Sequence, residues 1–300
     1  MSRSNPTRTR TIEAAWLAEI NRRWRRFTRA VVARLESDLL TNAEDVFEMS
    51  AAQQRTYMAY LDGQISAVLL ADDWQARYQL EAYRRGLETT RASLLAQGSG
   101  ITPSEAERLA AQGIASFSAV PSLGTAGSAL TAPIHLDAFA FLQGRAFDKL
   151  TGWTDVMSGE VRQVLFDSVA EGRGIRTTVR DMRARIDVSR SRARLIARTE
   201  VNQAYGRAAI SEVTRASGET GVDIELRWIT VRDTKVRHLH ARWHGVVMTA
   251  ETASANKNAS PWNCRCGFAP VVPDADTPAK QAEFAAQRAA LLALEAQDAA

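Results

Sequence analysis

The feature that most constrains this chain is a change of hydrophobic period at Gly221. Before it, apolar residues recur every three or four positions, which gathers them on one face of a helix. After it they alternate, as in a strand with one buried face. The first stripe is Trp16, Ile20, Trp24, Phe27, Val31 and Leu35. Helical pattern returns over Ala43–Asp62 and over Gln64–Gln97, with a break expected near Asp72–Asp73 or Gly86 and with Trp74, Tyr78, Leu80 and Tyr83 as core material. Thr102-Pro103-Ser104-Glu105 resembles a helix start, with Pro in the first turn and a carboxylate near the positive end of the dipole. After Pro133 the pattern resumes as His135–Leu150, Ser158–Glu171, Thr177–Ile186 and Ser191–Ser217. The expected breaks are Gly152 with Asp155, Gly172 with Gly174, and Ser189 as a cap; Gly218 and Gly221 stop the last helix.

Past Gly221, Ile224, Leu226, Trp228 and Val231 predict a strand. Asp233 is placed to cap a short helix through His240, which Gly245 ends. Val246–Met248 predicts a second strand, 251–260 a small polar loop, Cys264–Val272 a turn into a final strand, and Ala279–Ala296 a terminal helix. The predicted fold is mainly α with a small α+β C-terminal module: a helical N-terminal body, then short antiparallel strands around a His/Cys cluster. The segments are a helical N-terminal region at 1–108, an uncharged linker at 109–136, a helical connector at 137–190, the α+β module at 191–275 and a C-terminal helix at 276–300.

Composition narrows the function classes. With 300 residues, 45% of them hydrophobic and 24% charged, the chain is globular rather than disordered, and long enough for one large or two modest domains. Two cysteines cannot staple a secreted scaffold. No N-terminal stretch joins a basic region, an apolar region and a cleavage site, so a secretory signal is not expected. The 28 residues between Arg108 and Asp137 carry no charge, but Gly113, Pro121, Gly124, Gly127 and Pro133 interrupt them. They read as a connection, and no membrane association is predicted.

The net charge of +4 conceals 34 Arg against 4 Lys. Residues 1–34 and residues 172–198 each carry nine Arg against two carboxylates, a net +7 apiece. Guanidinium groups stay charged and bind phosphate or carboxylate bidentately. The two blocks therefore suit either a nucleic-acid backbone or an acidic protein surface. The candidate contacts are Arg22, Arg23, Arg25, Arg26, Arg173, Arg176, Arg180, Arg183, Arg190 and Arg194.

The densest chemistry lies within 34 residues: Asp233, Arg237, His238, His240, His244, Cys264 and Cys266. His135, the remaining histidine, is isolated, which favours a packing or hydrogen-bonding role. The cluster admits three readings. His238 and His240 (H-x-H) with Cys264 and Cys266 (C-x-C) offer zinc ligands, although the spacing is not a zinc-finger pattern. A structural reading makes the cysteines small buried residues with Arg265 turned away, and discounts a strained C-x-C disulfide. A catalytic reading pairs Cys with His, or uses His and carboxylates as in a nuclease. No Walker loop, dinucleotide fingerprint, G-x-S-x-G or H-E-x-x-H is present.

These motifs in order carry a resemblance. Ala197-Arg198-Thr199-Glu200, Trp228, Asp233-x-x-Val236-Arg237-x-x-His240, Gly245-Val246-Val247 and Pro261-Trp262-Asn263-Cys264-Arg265-Cys266 resemble the Mu F-like minor head proteins, or head morphogenesis proteins, of tailed phages. The likeness is clearest over 185–273 and extends more loosely to Ala82–Gly86, Thr151–Asp155 and Glu171–Gly172. It makes Arg198, Glu200, Trp228, Asp233, Arg237, His240, Gly245, Cys264 and Cys266 the structural motif, with Arg198 and Glu200 expected to form a buried charge network with Asp233 and Arg237. A zinc site would use His240, Cys264 and Cys266 with Asp233 as fourth contributor; His238 and His244 are not motif positions. The resemblance implies a non-enzymatic minor capsid protein. Its expected partners are the portal protein, the major capsid or scaffold protein, and non-specifically bound double-stranded DNA. Its expected place is the virion head interior near the portal, after assembly in the bacterial cytoplasm. The alternative is a metal-dependent DNA-binding or nuclease-like protein built on the His/Cys cluster.

Overall fold

The computed structural model describes residues 6–7, 9–39, 50–101, 132–171, 173, 175–233, 235–259 and 262–298. The sequence motif at 102–105 and most of the uncharged stretch lie outside these. The described helices are α1 (Arg10–Leu39), α2 (Ala51–Gln64), α3 (Ala76–Ala96), α4 (Pro133–Ala170), α5 (Ile175–Thr220), α6 (His238–Arg242), α7 (Ala250–Ala259) and α8 (Pro278–Asp298). The strands are β1 (Glu225–Ile229), β2 (Val247–Met248) and β3 (Gly267–Val271). They form one antiparallel sheet in the order β2-β1-β3, with Leu226 opposite Met248 and Trp228 opposite Phe268. The mainly helical fold with a small antiparallel C-terminal sheet is the one the periodicity predicts. No helix among the described residues is long and apolar enough to cross a membrane.

The chain forms two compact units, each assembled from separate stretches. One comprises Ala14–Ala76 and Gly144–Ala197. Its core is the predicted stripe: Trp16, Ile20, Trp24, Phe27, Val31 and Leu35 of α1 are all at most 4% exposed. Burying side chains of this size contributes about 1.5–3 kcal/mol each. Trp24 stacks on Trp153 of α4 at 4.9 Å, and Trp16 meets Trp74 edge-on at 6.0 Å. The Tyr57 hydroxyl of α2 donates to the Val31 carbonyl of α1 and lies 3.9 Å from Met182 Sδ of α5. The expected break between α2 and α3 falls at Asp72 and Asp73, both with positive φ, in a short irregular passage after a π-helical turn at Ile65–Leu70. Asp tolerates that region better than most residues because its short side chain bonds locally.

The other unit comprises Met1–Glu13, Arg77–Gln143 and Arg198–Ala300. Its sheet packs on α5: Trp228, Leu226, Phe268, Met248 and Val272 share a core with Ala209, Ile210, Val213 and Ala216, and Leu94 of α3 joins them. Leu291 of α8 is buried with Val231, Val236 and Ala241 of α6. Gly221, at φ +69°, ends α5 in the left-handed conformation that only glycine adopts without penalty.

Three expectations about local structure are corrected. Gly152 and Asp155 do not break α4, and α5 runs through Ser189 and Gly218 without interruption. An interior glycine costs a helix only about 1 kcal/mol, which the burial of Trp153, Met157 and Val161 around Gly152 and Gly159 outweighs. The polar stretch at 251–260 is helix α7, not loop. The Thr249 hydroxyl accepts from Thr252 N at 3.2 Å, and Ala253 and Lys257, four apart, turn inward. Asp233 does not cap α6, whose N-cap is Arg237; its carboxylate accepts from Lys235 N and binds Arg265 instead.

Candidate functional site

The site is built on Trp228, the middle of β1 and fully buried. Three rings meet it edge-on: His240 at 5.3 Å, Trp243 at 4.9 Å and Phe268 at 5.2 Å. Trp243 also stacks on His240 at 5.5 Å. His240 thus packs against two indoles that also touch each other, one from β1 and one from the turn after α6. Gly245, at φ +79°, turns the chain back so that its N–H reaches the Trp228 carbonyl at 2.8 Å and Val246 pairs with the Trp228 N–H at 2.9 Å. A Cβ there would also collide with Phe284 of α8.

Held this way, His240 presents Nδ1 to both cysteines, 3.6 Å from Cys264 Sγ and 3.5 Å from Cys266 Sγ. Both cysteines are free thiols, 2% and 3% exposed, in the irregular segment that enters β3. Arg265 between them faces away and binds both oxygens of Asp233 at 2.6 and 2.7 Å. The His240 Nε2 has no hydrogen-bond partner among the described residues. His238 lies two residues away on the same short helix and is exposed, the divergence that 3.6 residues per turn dictates.

Lys257 of α7 completes the site, and nothing in its sequence setting marks it. It is 2% exposed, with Nζ 2.6 Å from the Cys266 carbonyl and 3.5 Å from Cys264 Sγ. A hydrogen bond from Cys266, then the Lys257 charge and the bond with His240, outweigh burial and hold the Cys264 thiol far below its ordinary value. The bond with Cys264 and then burial push Cys266 the other way. Beside the pair lies a cavity of about 230 Å³, lined by Lys235, Val236, Arg237, Asn263 and Arg265 together with the three cluster residues.

The expected buried charge network is replaced by a different one. Asp233 is taken by Arg265, and that bond first of all keeps its carboxyl below the usual range. Asp233 is therefore not among the grouped metal-capable residues, which are His240, Cys264 and Cys266. Arg198 and Glu200 sit two apart on α5 and point to opposite sides. Glu200 is fully buried, while Arg198 is exposed, bonding Asn263 Oδ1 at 3.1 Å and facing Glu13 at 3.6 Å. Arg237 is exposed and donates to the Trp262 carbonyl. His244, outside the cluster, accepts from Thr230 N at 3.1 Å and lies 3.0 Å from Gln287 Oε1; burial lowers its pKa.

The arginine candidates divide. Arg22, Arg25 and Arg26 of α1 and Arg176, Arg180, Arg183 and Arg194 of α5 are exposed, although Arg22 pairs with Glu19 and Arg180 with Asp181. Arg23 instead bonds Glu19 at 2.7 Å and the Val68 carbonyl at 2.9 Å, and Arg173 bonds Glu171 at 2.8 Å. Arg190 lies on α5, with its side chain outside the described residues.

Helices, sheet and cluster define a helix-dominated protein that ends in a compact α+β module around one histidine and two cysteines. Residues 159–269 match the family model described as Phage Mu protein F like protein, so this segment carries a Mu F-like domain. The match begins inside α4 and ends inside β3, so it includes the whole cluster and leaves Ala82–Gly86 and Thr151–Asp155 outside. No curated protein and no solved structure matches the chain.

Proposed function

We propose that this chain is a non-catalytic minor head protein of a tailed phage or prophage, docking on the portal inside the head. The observation that carries the reading is the Mu F-like match over 159–269, the stretch that holds both the Arg-rich half of α5 and the cluster. The exposed Arg176, Arg180, Arg183, Arg185, Arg192 and Arg194 give that helix a row of cations with few carboxylates opposing them. Such a row suits the phosphates of packaged double-stranded DNA or acidic faces of other head components. The nuclease alternative draws no support from the cluster, whose ligand atoms are two sulfurs and an imidazole nitrogen, with no carboxylate grouped with them among the described residues.

The test is co-expression with the portal protein followed by imaging of the purified assembly, with DNA retention measured in parallel. Portal-bound particles and a DNA affinity that drops about a thousandfold or more between about 50 and 200 mM salt are expected if about six phosphates are contacted. Absence of portal co-purification overturns the docking, and a flat salt response overturns the DNA contact. Chelator-sensitive DNA cleavage lost in His240→Ala would favour the nuclease alternative.

A further inference from the structure

We propose that His240 Nδ1, Cys264 Sγ and Cys266 Sγ bind a zinc ion whose fourth position opens onto the cavity beside them. Zinc–sulfur bonds of about 2.3 Å and zinc–nitrogen bonds of about 2.0–2.1 Å at tetrahedral angles place nitrogen and sulfur about 3.6 Å apart. The two separations here are 3.6 and 3.5 Å. The three ligand atoms all lie within 4.8 Å of one another and all three residues are buried.

The alternative, a hydrogen-bonded apo cluster, leaves buried polarity poorly satisfied. One imidazole nitrogen faces two sulfurs, and each contact is a weak sulfur bond. Buried polar groups in that condition cost stability. Zinc would replace those contacts with three bonds. The thiolate form that ligates zinc is favoured by the buried Lys257 ammonium 3.5 Å from Cys264 Sγ. Two thiolates neutralise Zn²⁺, so protons held by the thiols leave to solvent on binding. The His240 ring needs no reorientation, since Trp228 and Trp243 already hold it. The thiolate-rich donor set selects zinc over hard cations such as magnesium or calcium.

No described side chain takes the fourth place: Asp233 is bound by Arg265, and Asn263 Oδ1 accepts from Arg198. Lys235, Arg237 and Arg265 line the adjoining cavity, so the open position favours water as hydroxide or a small anionic ligand.

The full chain, purified under reducing conditions and desalted, is assayed by elemental analysis and then titrated with cobalt after chelation. The expected result is one zinc per chain, and for cobalt a thiolate charge-transfer band with the intense visible bands of a tetrahedral site. Cys264→Ser and Cys266→Ser should each weaken zinc binding at least tenfold and reduce the charge-transfer intensity. Because those variants can fail to fold, the cobalt spectrum of the unaltered chain decides by itself. A folded chain that retains no zinc and gives no thiolate–cobalt band overturns the proposal, as does stoichiometric copper in place of zinc.

Discussion

Two buried histidines in the same unit sit in opposite kinds of cluster. His135, 1% exposed, has both nitrogens engaged: Nδ1 lies 2.8 Å from the Tyr83 hydroxyl and Nε2 donates to Glu212 at 3.1 Å. Glu212 is fully buried and also takes Arg91 at 2.7 Å and Arg215 at 2.8 and 2.9 Å. Every strong donor there has an acceptor. His240, 2% exposed, has one nitrogen shared between two sulfurs and the other without a partner among the described residues. A polar cluster whose bonds are complete holds helices together. One that is incomplete, next to a cavity and a buried ammonium, is arranged for something to enter. The difference agrees with the sequence, in which His135 stands isolated and His240 lies in the His/Cys cluster.

The largest effect should come from emptying the closed cluster. Glu212→Ala leaves the Arg91 guanidinium buried without its carboxylate and should destabilise by about 3–5 kcal/mol, read as a large drop in the denaturant midpoint. An unchanged midpoint would show that the cluster is not closed in solution.

Acid probes the same contrast without mutation. Burial by itself would raise the Glu212 carboxyl, but hydrogen bonds from Arg215 and His135 and the charges of Arg215 and Arg91 hold it down to about 2, against an ordinary 4.5. Because the folded value lies below the unfolded one, this stabilisation is fully present above pH 4.5 and is lost as pH falls toward 2. Chemical denaturation across that window should track the loss, and Glu212→Gln should flatten it.

Next in size is Lys257→Met, which sharpens the comparison from the other side. It leaves the Cys266 carbonyl without its ammonium and should cost about 1–3 kcal/mol. In metal-free protein it should also move the Cys264 thiolate absorbance to higher pH. An unmoved titration would remove Lys257 from the cluster's electrostatics. The smallest effect is expected for Arg198→Ala. Its partners are Asn263 and a 3.6 Å contact with Glu13 at an exposed position, so the loss should stay below about 1 kcal/mol in thermal unfolding.

Much of the fold was legible because helical and strand periods are local. The α1 stripe from Trp16 to Leu35 is buried as its spacing requires, and β1 and β3 fall at Trp228 and Phe268 inside the two predicted strand segments, although Arg227 between Leu226 and Trp228 is buried too. The breaks in α4 and α5 were misread because glycine and serine weaken a helix only slightly, and packing at distant residues decides the outcome. Helix α7 was missed because its inward face consists of Ala253 and a lysine, which no hydrophobic stripe announces. Of the site, the H-x-H and C-x-C spacings marked the cluster, and the family resemblance singled out His240 with Cys264 and Cys266. Lys257 and the Arg265–Asp233 pair were not legible, since a charge is expected to face water unless something unseen receives it.

The sequence by itself determined most of the helical stretches, where the period changes, that arginine is concentrated in two blocks, and that one histidine and two cysteines lie in a segment resembling a Mu F-like module. Tertiary structure alone decided which charges are used up. Arg91, His135 and Arg215 converge on one buried carboxylate, that of Glu212, and Asp233 goes to Arg265 rather than to Arg198 or Arg237. It also decided that His240 faces sulfur while His244 faces Thr230 and Gln287. Periodicity and composition are properties of neighbouring residues. A hydrogen bond or a ligand set depends on distances between residues tens to more than a hundred positions apart, which only the packed chain defines.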